Sequence, residues 1–231
     1  MAQRQNILQQ DHQPAGRMVS MFCPSGDVET SYQLALRLGR KAASFGETVL
    51  MLDGCDGRMM KAAGIVYNRT LADVVYADAP LRDAMYITSN EHFTATSTGA
   101  LTLDDALGSL AALSLSYDWV FVLPPEGCTP AHIRLAGASD ASVMTYDTQG
   151  DHFMRAYWML DAIRRRAPKF DPLVVSTGNV ADAAETSSML SETIRDHLGA
   201  PPPYAGHEKD LHIEPRLLDQ MREVIARTAV A

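Results

Sequence analysis

The stretch Met18-Val19-Ser20-Met21-Phe22-Cys23 is a mostly apolar run stopped by Pro24-Ser25-Gly26, and it reads as a buried strand ending in a turn. From Thr30 to Phe45 apolar residues recur at Leu34, Leu38, Ala42 and Phe45, the spacing of one helix face, and Gly46 stands where a helix C-terminal glycine belongs. Thr48-Val49-Leu50-Met51-Leu52-Asp53 follows as a second buried strand with an acid at its carboxyl end. Strand, turn, helix and strand within roughly 35 residues make a βαβ unit, whose two strands must lie parallel.

Outward from this unit the same alternation continues. Leu71–Val75 and Leu81–Met85 read as short helices, and 104–115 as a longer one with Leu103, Leu107, Leu110 and Leu113 near one face. Trp119-Val120-Phe121-Val122-Leu123 is a central strand ended by Pro124-Pro125, and Ala141–Tyr146 and Leu173–Thr177 are further strands. Helices are expected over Phe153–Arg166, Thr186–Leu198 and Arg216–Thr228. The expected fold is α/β: a doubly wound, mostly parallel sheet flanked by helices. Residues 1–16 read as an N-terminal arm, 17–200 as the α/β domain, and 201–231 as a proline-rich break followed by an amphipathic helix.

Composition narrows the class. The 231 residues are 46% hydrophobic and 21% charged, which suits a globular chain that needs no disulfide or metal to hold its core. Twenty Lys and Arg against 28 Asp and Glu leave a net charge of −8, a balance against a nucleic-acid or anionic-lipid surface. Three widely spaced cysteines fit a reducing cytoplasm better than a disulfide framework. With no apolar run long enough to span a bilayer, any membrane contact is expected to be peripheral. The seven histidines form no metal-ligand spacing and are expected at the surface.

The order of these segments resembles the deviant Walker P-loop ATPases of the MinD/ParA superfamily, in particular its FlhG-like members, which regulate flagellar number. The likeness runs from about Met18 to Asn179, and it includes Thr70-Leu71-Ala72-Asp73-Val74-Val75 followed by Pro80-Leu81-Arg82-Asp83-Ala84. Such proteins carry Gly-Lys-Gly-Gly-x-Gly-Lys-Thr after the first strand; here the matching residues are Cys23-Pro24-Ser25-Gly26-Asp27-Val28-Glu29-Thr30. A phosphate cradle needs glycines so that backbone N–H groups can approach, a lysine against the β- and γ-phosphates, and a hydroxyl for Mg²⁺. Glu29 takes the place of that lysine, Pro24 the place of the superfamily's second lysine, and Leu123 the place of the Walker B acid. Two like charges 4 Å apart repel by about 4 kcal/mol at an effective dielectric of 20, so Asp27 and Glu29 oppose a triphosphate. Thr30 survives from the pattern; it and Ser31 are expected as helix N-caps, and Asp53 as the cap of the turn at Gly54 and Gly57.

The resemblance implies a catalytically silent protein, a pseudo-ATPase, that works through protein contacts, a homodimer among them, in placing or assembling a polar bacterial machine. The flagellum comes first and a TadZ/CpaE-like role in pilus localisation second. An active ATPase with a rearranged loop, working in chromosome or plasmid partition, is the alternative, and a relic of a polysaccharide-linked tyrosine kinase is a further one. No cofactor is expected, with weak ATP/Mg²⁺ binding left open, and no nucleic acid. Leu217, Leu218, Met221, Val224 and Ile225 share one face of the last helix, a surface for membrane, for a partner or for the domain body.

Overall fold

The computed structural model describes residues 16–24, 28–88 and 92–228. The elements in chain order are β1 (Arg17–Phe22), α1 (Val28–Ser44), β2 (Val49–Asp53), α2 (Arg58–Ala62), α3 (Leu71–Ala77), β3 (Tyr86–Ile87), β4 (Thr94–Ser97), α4 (Leu103–Ser114) and β5 (Trp119–Leu123). They continue with α5 (Pro130–Ala138), β6 (Ala141–Asp147), α6 (His152–Arg164), β7 (Leu173–Thr177), α7 (Ala183–Leu198), β8 (Tyr204–His207) and α8 (Ile213–Thr228). Single 3₁₀ turns occupy Leu81–Ala84 and Val180–Asp182.

The strands form one eight-stranded sheet in the order β3-β4-β2-β5-β1-β6-β7-β8, parallel throughout except for the antiparallel pairing of β3 with β4. This is the doubly wound, mostly parallel sheet expected from the sequence. The central strands are buried on both faces, which is why β2, β5 and β6 read as unbroken apolar runs rather than alternating ones. One apolar cluster lies under α1, α2 and α8 and joins Val19, Met21, Met51 and Phe121 to Leu34, Leu38 and Leu218. The other lies under α3 to α7 and joins Leu50, Leu52, Val120 and Val122 to Leu135, Leu160 and Ile163. Gly39 permits the close approach of α1 to the sheet, since a Cβ there would stand 2.9 Å from the Met51 sulfur.

The connection from β1 to β2 passes through α1 on the first face, and the one from β5 to β6 passes through α5 on the second. The loops leaving the carboxyl ends of neighbouring β1 and β5 therefore part in opposite directions and open a crevice there.

Several elements differ from the sequence reading. β4, a strand of Thr-Ala-Thr-Ser, and the helices α2 and α5 were unexpected. Within 201–231 the sequence suggested only a break and a helix, yet Tyr204–His207 forms the edge strand β8 on β7. The histidines are not all at the surface, because His132 and His207 are each 2% exposed. His132 sits in the first turn of α5, where its Nδ1 accepts the Thr129 backbone N–H at 3.2 Å and its Nε2 lies 2.8 Å from the Pro125 carbonyl. Burial holds its pKa below the usual histidine value, with the Pro125 contact acting the other way.

Candidate functional site

The carboxyl edges of β2, β5 and β1 bring together the described residues that the sequence singled out. Asp53 ends β2 beside Leu123 at the end of β5. Its carboxylate is fully buried and committed to backbone: Oδ1 accepts the Cys55 N–H at 2.7 Å and Oδ2 accepts the Met60 N–H at 2.9 Å. The acid thus ties the turn after β2 to α2. Gly57 makes the turn possible with φ of 78°, and a Cβ there would collide with the Tyr67 ring. Burial pushes the Asp53 carboxyl above the ordinary range, opposed by the N–H groups of Met60 and Cys55.

Leu123 is buried, and its carbonyl accepts the Gly54 N–H at 2.9 Å. Its side chain lies in the same apolar cluster as Cys23, Cys55 and Tyr32. Cys55 donates its thiol to the Pro124 carbonyl at 3.0 Å. Burial pushes that thiol up to about 12, opposed by a hydrogen bond with Tyr32, whose phenol burial in turn raises. Arg58 lies near enough to Tyr32 and Cys55 for its charge to favour their ionised forms. Tyr32, Cys55 and Arg58 escaped the sequence reading because they belong to no spacing pattern; the packing of α1 against the β2 turn unites them.

Pro24 is buried at the end of β1, whereas Ser25, Gly26 and Asp27 lie outside the described residues. Glu29 is exposed in the first turn of α1, and its Oε1 accepts from Gln33 Nε2 at 3.3 Å. Thr30 and Ser31 are not N-caps, because α1 already begins at Val28. Ser31 is instead buried inside the helix, with its Oγ 2.7 Å from the Thr145 Oγ1 of β6. β5 thus ends in a buried apolar side chain, and the first turn of α1 carries an exposed carboxylate. Beside them a groove of about 310 Å³ opens between Gly54, Asp56, Thr98, Gly99, Thr102 and Pro125.

The amphipathic face of α8 points into the fold. Leu217, Leu218 and Met221 are fully buried, and Val224 and Ile225 are half-buried against the same cluster. Arg37 of α1 latches the segment: its Nε donates to Glu214 Oε1 at 2.7 Å and its Nη2 to the Glu208 carbonyl at 2.6 Å. No described helix is long and apolar enough to cross a membrane. No group of three or more His, Cys, Asp or Glu among the described residues could hold a metal ion.

No family model matches the chain, and no curated protein matches it in sequence. Solved structures do. MinD from Aquifex aeolicus superposes with a TM-score of 0.66 at 18% identity, over 90% of this chain and 87% of that one. Cobyrinic acid a,c-diamide synthase from Mycobacterium smegmatis gives 0.67 at 13%, over 91% and 94%. The kinase domain of the Escherichia coli tyrosine kinase ETK gives 0.58 at 11%, over 70% and 67%. At these identities the likeness is one of architecture. The chain has the eight-stranded, mostly parallel α/β fold of the MinD/ParA-type P-loop ATPases.

Proposed function

We propose that this chain is a catalytically silent MinD/ParA-like protein that acts by protein contacts. The observation that carries the reading is the charge and polarity of the carboxyl edge, where Glu29 stands in the first turn of α1 and Leu123 ends β5. A triphosphate brought there meets a carboxylate in place of an ammonium, and its metal meets a buried leucine in place of an acid. Asp53 is a poor substitute, since it is fully buried and each of its oxygens accepts a backbone N–H that ties the turn to α2. The fold relative MinD has been solved in complex with MinC, which supports a protein as the kind of partner. In this reading the chain is FlhG-like and serves the placement of a polar bacterial machine, foremost the flagellum and next the pilus. Any homodimer would form without nucleotide.

Isothermal titration with Mg-ATP tests the silent site: no saturable heat and no phosphate release are expected, and micromolar binding or turnover overturns it. A second reading, an ATPase with a rearranged loop, would call on Arg58, an exposed cation whose charge acts on Cys55 and Tyr32. That reading requires Mg-ATP binding that Arg58→Ala abolishes. Capture of flagellar, pilus or partition proteins by the full chain from its own cells separates the cellular settings.

A further inference from the structure

Residues 124–129 carry the chain from β5 to α5 across the carboxyl edge without regular structure. Thr129-Pro130-Ala131-His132 then opens α5 with a proline in its first turn and a capping box. Histidine stands in that box where glutamate or glutamine is usual, so the box contains a side chain whose charge changes near neutral pH.

The partners of the ring fix its tautomer. Nε2 lies 2.8 Å from the Pro125 carbonyl, which can only accept, so Nε2 carries the proton. Nδ1 is then the acceptor, taking the Thr129 N–H at 3.2 Å, with the Thr129 hydroxyl at 2.7 Å. One neutral ring therefore ties both Pro125 and Thr129 to α5. Two further bonds hold the loop: Gly127 donates its N–H to the Cys23 carbonyl at 3.0 Å, and the Pro124 carbonyl accepts the Cys55 thiol at 3.0 Å. A proton on Nδ1 removes the lone pair that holds the Thr129 N–H and places a charge on a ring that is 2% exposed.

The surroundings do not offset that charge. β1 presents the Phe22 ring, its centroid 6.1 Å from that of His132. In the loop Glu126 is exposed, and burial alone acts on the Cys128 thiol. Arg134 of α5 is held by Asp104 of α4, and Asp105 of α4 serves Thr102 and Tyr76. On α6, His152 faces Asp147, Asp161 pairs with Arg165, Arg164 pairs with Asp171, and Arg155 is exposed. None of these charges enters the balance at His132, where burial lowers the pKa against the Pro125 contact.

We propose that His132 is a pH-sensitive pin: neutral, it closes the 124–129 loop over the carboxyl edge, and protonated, it releases the loop. Pro125 is one wall of the 310 Å³ groove beside Gly54 and Thr98, so release reshapes that groove. In the open loop the ring meets water and its pKa returns to the ordinary histidine range. The folded-state value is lowered, so the pin is fully effective above the ordinary range and weakens as pH falls from there towards the lowered value. Within that window each pH unit raises the open population roughly tenfold.

Amide hydrogen exchange of the full chain from about pH 7.5 to 5, corrected for the intrinsic rate at each pH, tests the pin. Protection of the Gly127 and Thr129 amides should fall by roughly tenfold per pH unit below the ordinary histidine range, while β1 and β5 stay protected. His132→Gln keeps a capping-box residue that does not titrate, so the same two amides should show protection independent of pH. The wild-type ring supplies a check that needs no variant: its Cε1–H resonance should titrate below the ordinary range, and protection should level off as it does. Protection at Gly127 and Thr129 that is constant in the wild type, a fall shared by β1 and β5, the same fall in His132→Gln, or a ring that titrates at or above the ordinary range overturns the proposal.

Discussion

The carboxylate of Asp53 holds the backbone N–H of Met60 at 2.9 Å, and through it the first turn of α2. With Cys55 on its other oxygen, the acid braces the turn that joins β2 to α2. Asp53→Asn presents an amide NH₂ to one of two N–H groups and leaves that donor unsatisfied. The expected loss is about 1–3 kcal/mol in urea unfolding. The pH dependence has a definite sign. Burial raises the folded-state pKa of Asp53, so the native protein holds the proton more tightly than the unfolded chain. That contribution is complete below the ordinary carboxylate range and is lost as pH rises through the raised value. Unfolding of wild type and Asp53→Asn from pH 4 to 7 should therefore show the wild type alone losing this part of its stability.

Placing an acid at the end of β5 should harm the fold. Leu123 is 1% exposed and pairs in register with Asp53, so Leu123→Asp buries a carboxylate beside another with no cation provided. A loss of at least about 3 kcal/mol is expected from an uncompensated buried charge. The unfolding midpoint checks it, and an unchanged midpoint would mean that the edge is more open to water than its burial implies.

Arg37→Ala removes the latch between α1 and α8 and takes the strongest cationic contacts from the buried Glu208, leaving it the Lys209 ammonium at 3.9 Å. A destabilisation of about 2–4 kcal/mol is expected, most of it from the stranded carboxylate. Hydrogen exchange should quicken in α8 and β8 and stay slow in β5 and β6. Arg37→Lys should recover only part of the loss, because one ammonium cannot reach both Glu214 and the Glu208 carbonyl with a planar fork.

Thiol labelling should distinguish the three cysteines. Cys23 and Cys55 are buried and Cys128 is exposed. With its thiol pushed up to about 12, Cys55 is almost wholly protonated at pH 8, and reagents attack the thiolate. One equivalent of a disulfide reagent should react with the native protein, at Cys128, and three after denaturation. Partial burial also raises Cys128, so its reaction should be slower than that of a free thiol.

Much of the fold was legible because local signals carried it. The apolar runs of β1, β2, β5, β6 and β7 and the periodicity of α1, α6 and α8 appear within a residue or a few of their expected places. β8 was not legible. It follows three prolines, contains Gly206 at φ of 128°, and reads as strand only once β7 supplies hydrogen-bond partners. β4 is small and hydroxylated, and its identity comes from lying between β2 and β3. Ser31 was misplaced for a similar reason: from the sequence a hydroxyl near a helix start is a cap, but its partner is Thr145, 114 residues away.

By itself, the sequence determined the parallel α/β class and the residue types at three places along it: Pro24 after β1, Glu29 in the first turn of α1 and Leu123 at the end of β5. Those facts are local, carried by residue type, spacing and hydropathy. The tertiary structure alone decided what the polar groups near them do. It turned Asp53 onto Cys55 and Met60, paired Ser31 with Thr145, and pressed Leu217, Leu218 and Met221 into the core under the Arg37 latch. The physical reason is that a buried polar group must find a partner wherever the chain brings one, and an apolar face must find a neighbour. Arg37 and Glu208 lie 171 residues apart, and only the winding of the sheet makes them adjacent.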